Sequence, residues 1–325
     1  MELARTLGER DDVARVDLLT RRILASAVSS DYARREERLS DKVSIVRLDC
    51  GEEGYITKEQ LWDSLDTFAD NALSYIRERQ LAPDIIHSHY ADAGYVGVRL
   101  SSLLGIPLVH TGHSLGRVKR QRLLASGLKR EEIERQYNIS RRIQVEEDVL
   151  GAADLVITST RQEIEEQYGL YNHYQPERMK VVPPGTALEQ FYPPDGSEQD
   201  SAMQRELARF LKQPDKPLIL AMSRPDARKN IGTLLDVYGE SAALQRAANL
   251  VIIAGTREDI RDMGSRPQEV LTDLLLSIDQ YDLYGRVAYP KHHQSGDVPA
   301  VSYTHLRAHE TILPIAYAVF CLKKG

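Results

Sequence analysis

The feature that most constrains this chain is a repeated order. A short apolar run is followed by a polar turn rich in glycine, proline, serine or histidine, and then by helical, charged sequence. Candidate strands fall at residues 16–19, 43–48, 84–87, 107–110, 155–158, 179–182, 218–222, 250–254 and 287–289. Helix-period segments separate most of them. Residues 61–79 place Trp62, Leu65, Phe68, Ala72, Leu73 and Ile76 on one face, and residues 131–150 form a charged helical stretch followed by Gly151. Strands that alternate with helices build βαβ units, which lay parallel strands in a sheet covered on both faces. The class predicted is α/β, with Rossmann-like units.

A turn-rich stretch, Phe191-Tyr192-Pro193-Pro194-Asp195-Gly196-Ser197, interrupts the alternation, and a fresh strand follows Lys216-Pro217. One domain is therefore expected over residues 1–195 and a second over 196–301, with a distinct tail at 302–325. The sequence opens in a helix, at residues 2–7, ahead of the strand at 16–19. A doubly wound domain opens instead on a strand and a phosphate-facing turn, so the first domain is read as lacking its first strand. The second has about three candidate strands, too few for a complete doubly wound sheet, and is read as incomplete. The segment Ser302-Tyr303-Thr304-His305-Leu306-Arg307-Ala308-His309-Glu310-Thr311 continues neither a strand nor an amphipathic helix, and the tail is read as foreign to the fold.

Composition narrows the function classes. A chain of 325 residues with 42% hydrophobic residues can bury two cores. A net charge of -6 spread over mixed charges gives no footprint for nucleic acid. Cys50 and Cys321 lie far apart and fit neither a metal-ligand spacing nor a disulfide framework, so a cytoplasmic setting is expected. No stretch has the apolar length of a membrane span, and the first residues lack the apolar run of a signal peptide.

In open α/β sheets ligands bind outside the carboxyl ends of the strands. The small and polar residues gather there: His87-Ser88-His89-Tyr90-Ala91-Asp92-Ala93-Gly94, Thr111-Gly112-His113-Ser114-Leu115-Gly116, Pro183-Pro184-Gly185, Ser223-Arg224-Pro225-Asp226 and Gly255-Thr256-Arg257. Arg224, leaving a strand, and Lys229, one turn into the next helix, suit a diphosphate over a helix N-terminus. Two such cations can stabilise a leaving nucleoside diphosphate without a metal. The alternative is a solvated basic turn. His113 suits a sugar hydroxyl or a structural hydrogen bond; Asp92 suits a sugar hydroxyl or a helix cap. Lys58, Lys119, Arg141 and Arg142 suit a phosphorylated acceptor or form an ordinary surface charge run. No dinucleotide fingerprint, Walker A loop, serine elbow or H-E-x-x-H motif occurs. No Cys or carboxylate spacing completes a site around His87/His89 or His292-His293, so neither a metal nor a cofactor is predicted.

Several of these stretches occur together, in one order, in a known group. Residues 84–94, Thr111-Gly112-His113-Ser114-Leu115-Gly116-Arg117, Ser223-Arg224-Pro225-Asp226 with Lys229-Asn230, Tyr55-Ile56-Thr57-Lys58-Glu59 and Val287-Ala288-Tyr289-Pro290-Lys291-His292-His293 resemble sucrose-phosphate synthases. The resemblance extends to the wider group with sucrose synthases and mannosylfructose-phosphate synthases, and covers roughly residues 2–301. It implies a GT-B fold, two Rossmann-like domains facing across a cleft. It also implies retaining transfer of glucose from UDP-glucose to fructose 6-phosphate, with GDP-mannose as the alternative donor. The implied donor side is Ser223, Arg224, Lys229 and Gly255. The implied acceptor side is Lys58, Asp92, His113, Ser114, Lys119 and an arginine of the Arg141-Arg142 pair. His113, Arg224 and Lys229 would stand nearest the chemistry. The group's Gly-Gly-Gln loop would precede Glu2, and its two donor-side glutamates would follow residue 301. A chain without them is also expected to behave as an inactive fragment that binds sugar phosphate alone.

Overall fold

The computed structural model of the protein describes residues 2–25, 28–185, 201–293 and 297. The turn-rich stretch at 191–197 and the tail at 302–325 lie outside the described residues. The chain divides into two compact units, Met1–Gly185 and Thr186–Gly325.

In the first unit the strands are β1 (Val16–Arg21), β2 (Glu36–Arg38), β3 (Val43–Leu48), β4 (Ile86–His89), β5 (Leu108–Thr111), β6 (Leu155–Thr158) and β7 (Met179–Val181). The helices are α1 (Glu2–Gly8), α2 (Leu65–Glu78), α3 (Tyr90–Leu104), α4 (Gly116–Ala125), α5 (Arg130–Tyr137) and α6 (Ile139–Ala152). One sheet has the order β1-β3-β2 and another the order β4-β5-β6-β7. β1 and β3 are parallel, as are all neighbours in the second sheet. Both sheets feed the same interior: Val46 and Leu48 of β3 share a cluster with Leu73 of α2, Leu100 of α3 and Val149 of α6, and Ile86 of β4 packs against it.

The second unit holds α7 (Ala202–Ala208), β8 (Leu218–Met222), α8 (Ile231–Glu240), α9 (Ala242–Ala247), β9 (Asn249–Ile253), α10 (Ser265–Gln280) and β10 (Val287–Ala288). Its strands run parallel in the order β10-β9-β8. Every residue of central β9 is buried. Leu250 and Ile252 face a cluster with Leu235 and Leu274, while Val251 and Ile253 face Met203 and Leu207. A strand covered on both faces must be apolar on both, and Leu250-Val251-Ile252-Ile253 is; buried Asn249, at the start of the strand, donates to the Gln213 carbonyl at 2.8 Å.

Four local features differ from expectation, each for a stated reason. Strand β2 is the charged run Glu36-Glu37-Arg38, with no apolar alternation to announce it. Antiparallel backbone pairing to β3 and an ion pair of 2.5 Å from buried Arg47 to Glu37 hold it. The helix expected over 61–79 starts as a 3-10 turn, Leu61–Ser64, before α2. The stretch 131–150 is two helices, because Asn138 adopts left-handed φ 45 and the Glu134 carboxylate accepts from the Ser140 N–H and hydroxyl. The strand expected at 84–87 lies at Ile86–His89, and α3 starts directly at Tyr90 (φ 76) with no intervening loop.

Leu108 on β5 is fully buried, and it lies so close to α3 that a Cβ on Gly97 would come within 2.9 Å of its Cδ1. Leu108→Ala should lower stability by ~2–5 kcal/mol, read from urea unfolding. Leu103→Ala, at a residue 52% exposed on the same helix as Gly97, should stay within ~0.5 kcal/mol. Equal effects would mean that the interior is not packed as described.

Candidate functional site

Parallel pairing of β4 with β5 sets Ser88 against His110 and His89 against Thr111. The carboxyl ends of the two strands thus place four histidines close together. The His87 Nε2 lies 2.9 Å from the Thr111 hydroxyl, and the Ser88 hydroxyl lies 2.9 Å from the buried His110 Nδ1. His113 lies on the turn between β5 and α4, in left-handed φ 57, and its Nε2 is 2.9 Å from the His89 Nδ1. That contact requires one ring nitrogen to donate and the other to accept. Burial, with the neighbouring histidines adding repulsion, pushes the His87 pKa down to about 4 and the His110 pKa down to about 3. His89 is lowered for the same reasons. The neutral imidazoles are the stable forms.

The expected acceptor set gathers beside this cluster. The Lys58 Nζ donates to the Tyr90 hydroxyl at 3.2 Å. The Arg142 guanidinium carbon lies 4.5 Å from the centroid of the same ring. Asp92, in the first turn of α3, accepts from the Ala93 N–H at 3.1 Å; the N-cap of that helix is His89, so Asp92 does not cap it. Burial pushes the Asp92 carboxyl up, against the pull of backbone N–H groups, Lys58 and Arg142. Residues 57–63 interleave acids with the cations. Glu59 lies 4.0 Å from the Lys119 Nζ, and the Asp63 carboxylate accepts from the Arg141 Nη1 at 2.6 Å. Lys119 also lies over the Tyr137 ring and Arg141 over that of Trp62.

The structure separates the two adjacent arginines. The Arg141 side chain is 43% exposed, whereas that of Arg142 is 4% exposed and belongs to a buried network. Its Nε donates to Glu146 at 2.9 Å and its Nη2 to the Ser114 carbonyl at 2.5 Å. Glu146 and Tyr171 were not singled out from sequence. The spacing of Arg142 and Glu146, one helical turn apart, could have pointed to the first. Nothing local points to Tyr171, which reaches Glu146 from a different segment.

The expected donor set gathers at one end of the second sheet. Past β8, the Asp226 carboxylate accepts from the Arg228 N–H and ion-pairs with its guanidinium, which holds that carboxyl well below its ordinary range. A 3-10 turn, Ala227–Lys229, follows, and Asn230 in left-handed φ 54 ends it before α8. Lys229 therefore precedes α8 instead of lying a turn inside it. Among the described residues the side chains of Arg224 and Lys229 enter neither a salt bridge nor a hydrogen bond. Gly255 follows β9 with φ 72, and its turn lies against Pro225, whose Cδ would be 3.2 Å from a Cβ there. The Ser223 hydroxyl donates to the Arg224 carbonyl at 2.9 Å.

Residues 1–185 match the family described as glycosyl transferase 4-like domain. The chain is 40% identical over 363 aligned residues to sucrose-phosphate synthase 4 of Arabidopsis thaliana, covering 93% of this chain and 34% of that protein. It is 41% identical to the sucrose-phosphate synthase of Zea mays, with 93% and 34% covered. The chain thus spans about a third of the length of these curated relatives. Among solved structures, sucrose-phosphate synthase from Thermosynechococcus elongatus superposes with a TM-score of 0.67 at 25% identity, covering 93% of this chain and 67% of that one. A UDP-forming trehalose-phosphate synthase from Burkholderia xenovorans superposes at 0.56 and 12% identity, covering 89% and 76%. The fold class is GT-B. Among the described residues no helix is long and apolar enough to cross a membrane.

The depressed histidines give a pH prediction. Each has a folded pKa below its ordinary value of 6.5, so its contribution to stability is complete above about pH 6.5. That contribution is lost as pH falls towards about 4 for His87 and about 3 for His110. The urea midpoint should therefore fall steeply below pH 6.5, and His110→Asn should flatten that dependence while lowering stability at pH 7. An unchanged slope in the variant would contradict a neutral, buried His110.

Proposed function

The chain belongs to the glycosyl transferase 4-like family, and on that premise we propose that it carries both substrate-binding faces of a retaining hexosyltransferase that moves glucose from UDP-glucose to fructose 6-phosphate. The observation that carries the reading is the contrast within the 223–230 turn. Arg228 is neutralised by Asp226, while Arg224 and Lys229 at the same strand end have no salt-bridge partner among the described residues. Two such cations beside the start of a helix suit the diphosphate of a nucleotide sugar. As the bond to the sugar breaks, negative charge grows on the departing diphosphate, and cations already in place stabilise that charge more than the ground state.

On this reading Lys58, Lys119 and Arg141 take the acceptor's phosphate. Exposed ion pairs such as Arg141 with Asp63 separate at little cost, so the cations exchange a carboxylate for a dianion. The raised Asp92 carboxyl accepts from an acceptor hydroxyl, and exposed His113 and Ser114 meet the sugars. Identity of 40% to a sucrose-phosphate synthase over 93% of the chain supports this choice of substrates.

Sugar transfer to fructose 6-phosphate by the protein carrying these residues, supplied with UDP-glucose or GDP-mannose, tests the reading. UDP-glucose should be the better donor. Arg224→Ala and Lys229→Ala should each lower kcat by about 10²–10³-fold, the size of losing one charge-stabilising donor. Arg228→Ala should change it by less than about tenfold, since both prongs of its guanidinium are engaged by the Asp226 carboxylate two residues away. Absence of transfer from either donor, or equal losses from Arg228→Ala and Arg224→Ala, would sink the proposal.

A further inference from the structure

The turn that carries His113 and Ser114 ends at Gly116, the first residue of α4, and one carboxylate anchors that end. The Glu146 side chain is 3% exposed. Its two oxygens accept from the Gly116 N–H at 2.8 and 3.1 Å, from the Arg142 Nε at 2.9 Å, and from the Tyr171 hydroxyl. The Tyr171 oxygen in turn accepts from the Arg117 N–H at 3.1 Å. The approach needs a glycine: a Cβ on Gly116 would come within 2.8 Å of the Glu146 Oε2 and 2.9 Å of the Ile143 Cγ1. Next to it on α6, buried Glu147 accepts from the Arg117 guanidinium at 2.5 Å and from the Asn172 and His173 N–H groups at 3.0 Å. Two successive carboxylates of α6 thus tie the start of α4 to the segment at residues 171–173.

We propose that Glu146 is a positioning residue for the His113-Ser114 turn. It holds the Gly116 N–H directly, and it orients Arg142 so that the far nitrogen of that guanidinium donates to the Ser114 carbonyl at 2.5 Å. A buried ion pair contributes little net stability, because desolvating two charges offsets their attraction. What this pair supplies is geometry at Ser114 and at Gly116, the half of the turn that leads into α4. The functional consequence rests on the reading of His113 and Ser114 as acceptor-side groups; the positioning itself does not.

The test uses the 325-residue chain, its Glu146→Gln variant and its Tyr171→Phe variant. Urea midpoints report stability, the imidazole nitrogen signals of His89 and His113 report turn geometry without ligand, and calorimetric titration reports fructose 6-phosphate affinity. In a folded Glu146→Gln variant both imidazole signals should shift, and affinity should fall about tenfold, the size of losing one oriented hydrogen bond to a charged group. Tyr171→Phe removes one donor and leaves the ion pair, so it should fold and shift the same signals less. A lowered urea midpoint with unmoved imidazole signals would show a merely structural role and overturn the proposal. Should Glu146→Gln fail to fold, unmoved signals in Tyr171→Phe would overturn it equally. If the unsubstituted chain does not bind fructose 6-phosphate, the acceptor assignment falls, while the imidazole shifts still decide the positioning.

Discussion

A parallel strand covered by helices on both faces admits polar side chains at its carboxyl end, or further in only where each polar atom finds a partner. Strand β9 meets this rule with four buried apolar residues after Asn249, whose amide donates to the Gln213 carbonyl, and the polar Gly255-Thr256-Arg257 turn follows it. Strand β5 carries a polar residue further in, His110, 2% exposed and satisfied by the Ser88 hydroxyl on the next strand. The rule places the chemistry of this chain before any ligand is considered. His89, His113 and the Arg224-Lys229 pair stand at or just beyond strand ends, where a layered unit of this kind leaves polar groups free of the helices that cover the sheet.

That constraint explains what the sequence made legible. Strands β3, β6 and β8 stand at the predicted positions: Leu155-Val156-Ile157 and Leu218–Met222 are apolar runs, and in β3 four apolar residues outweigh Ser44 and Arg47. Strand β2 left no such run, because its stability comes from backbone pairing and a cross-strand ion pair. The break at Asn138 was equally silent. An asparagine inside a charged helix reads as one more polar residue until its left-handed backbone and the Glu134 contact to Ser140 are seen. At β4 the alternation of polar and aromatic residues looked like a loop. Tyr90 with φ 76 turns the chain sharply enough for helix to follow strand directly, and this brings His89 into reach of His113.

The candidate site was legible as a roll of residue types, less so as a division of labour. Sequence alone could not choose between Arg141 and Arg142, since adjacent residues of one type carry the same signal. Burial distinguishes them, because Arg142 is committed to Glu146 and Ser114 and Arg141 to a surface carboxylate. The same holds for Arg228 against Arg224 and Lys229. The motif contains three cations, and only the fold shows which one Asp226 has already neutralised.

Paired charges of these two kinds are not interchangeable, and the difference orders the site. An exposed pair such as Arg141 with Asp63 is worth about 0–1 kcal/mol, so a ligand phosphate can take the place of the carboxylate. Separating buried Arg142 from Glu146 would strand two charges in the interior at about 3–5 kcal/mol, which one ligand contact does not recover. The first kind of pair can therefore yield to an incoming anion, and the second can only hold the frame. On the proposed reading a sugar phosphate would displace loose surface pairs such as Arg141 with Asp63, while the buried carboxylates of α6 stay in place and keep the backbone of residues 114–116 where it is.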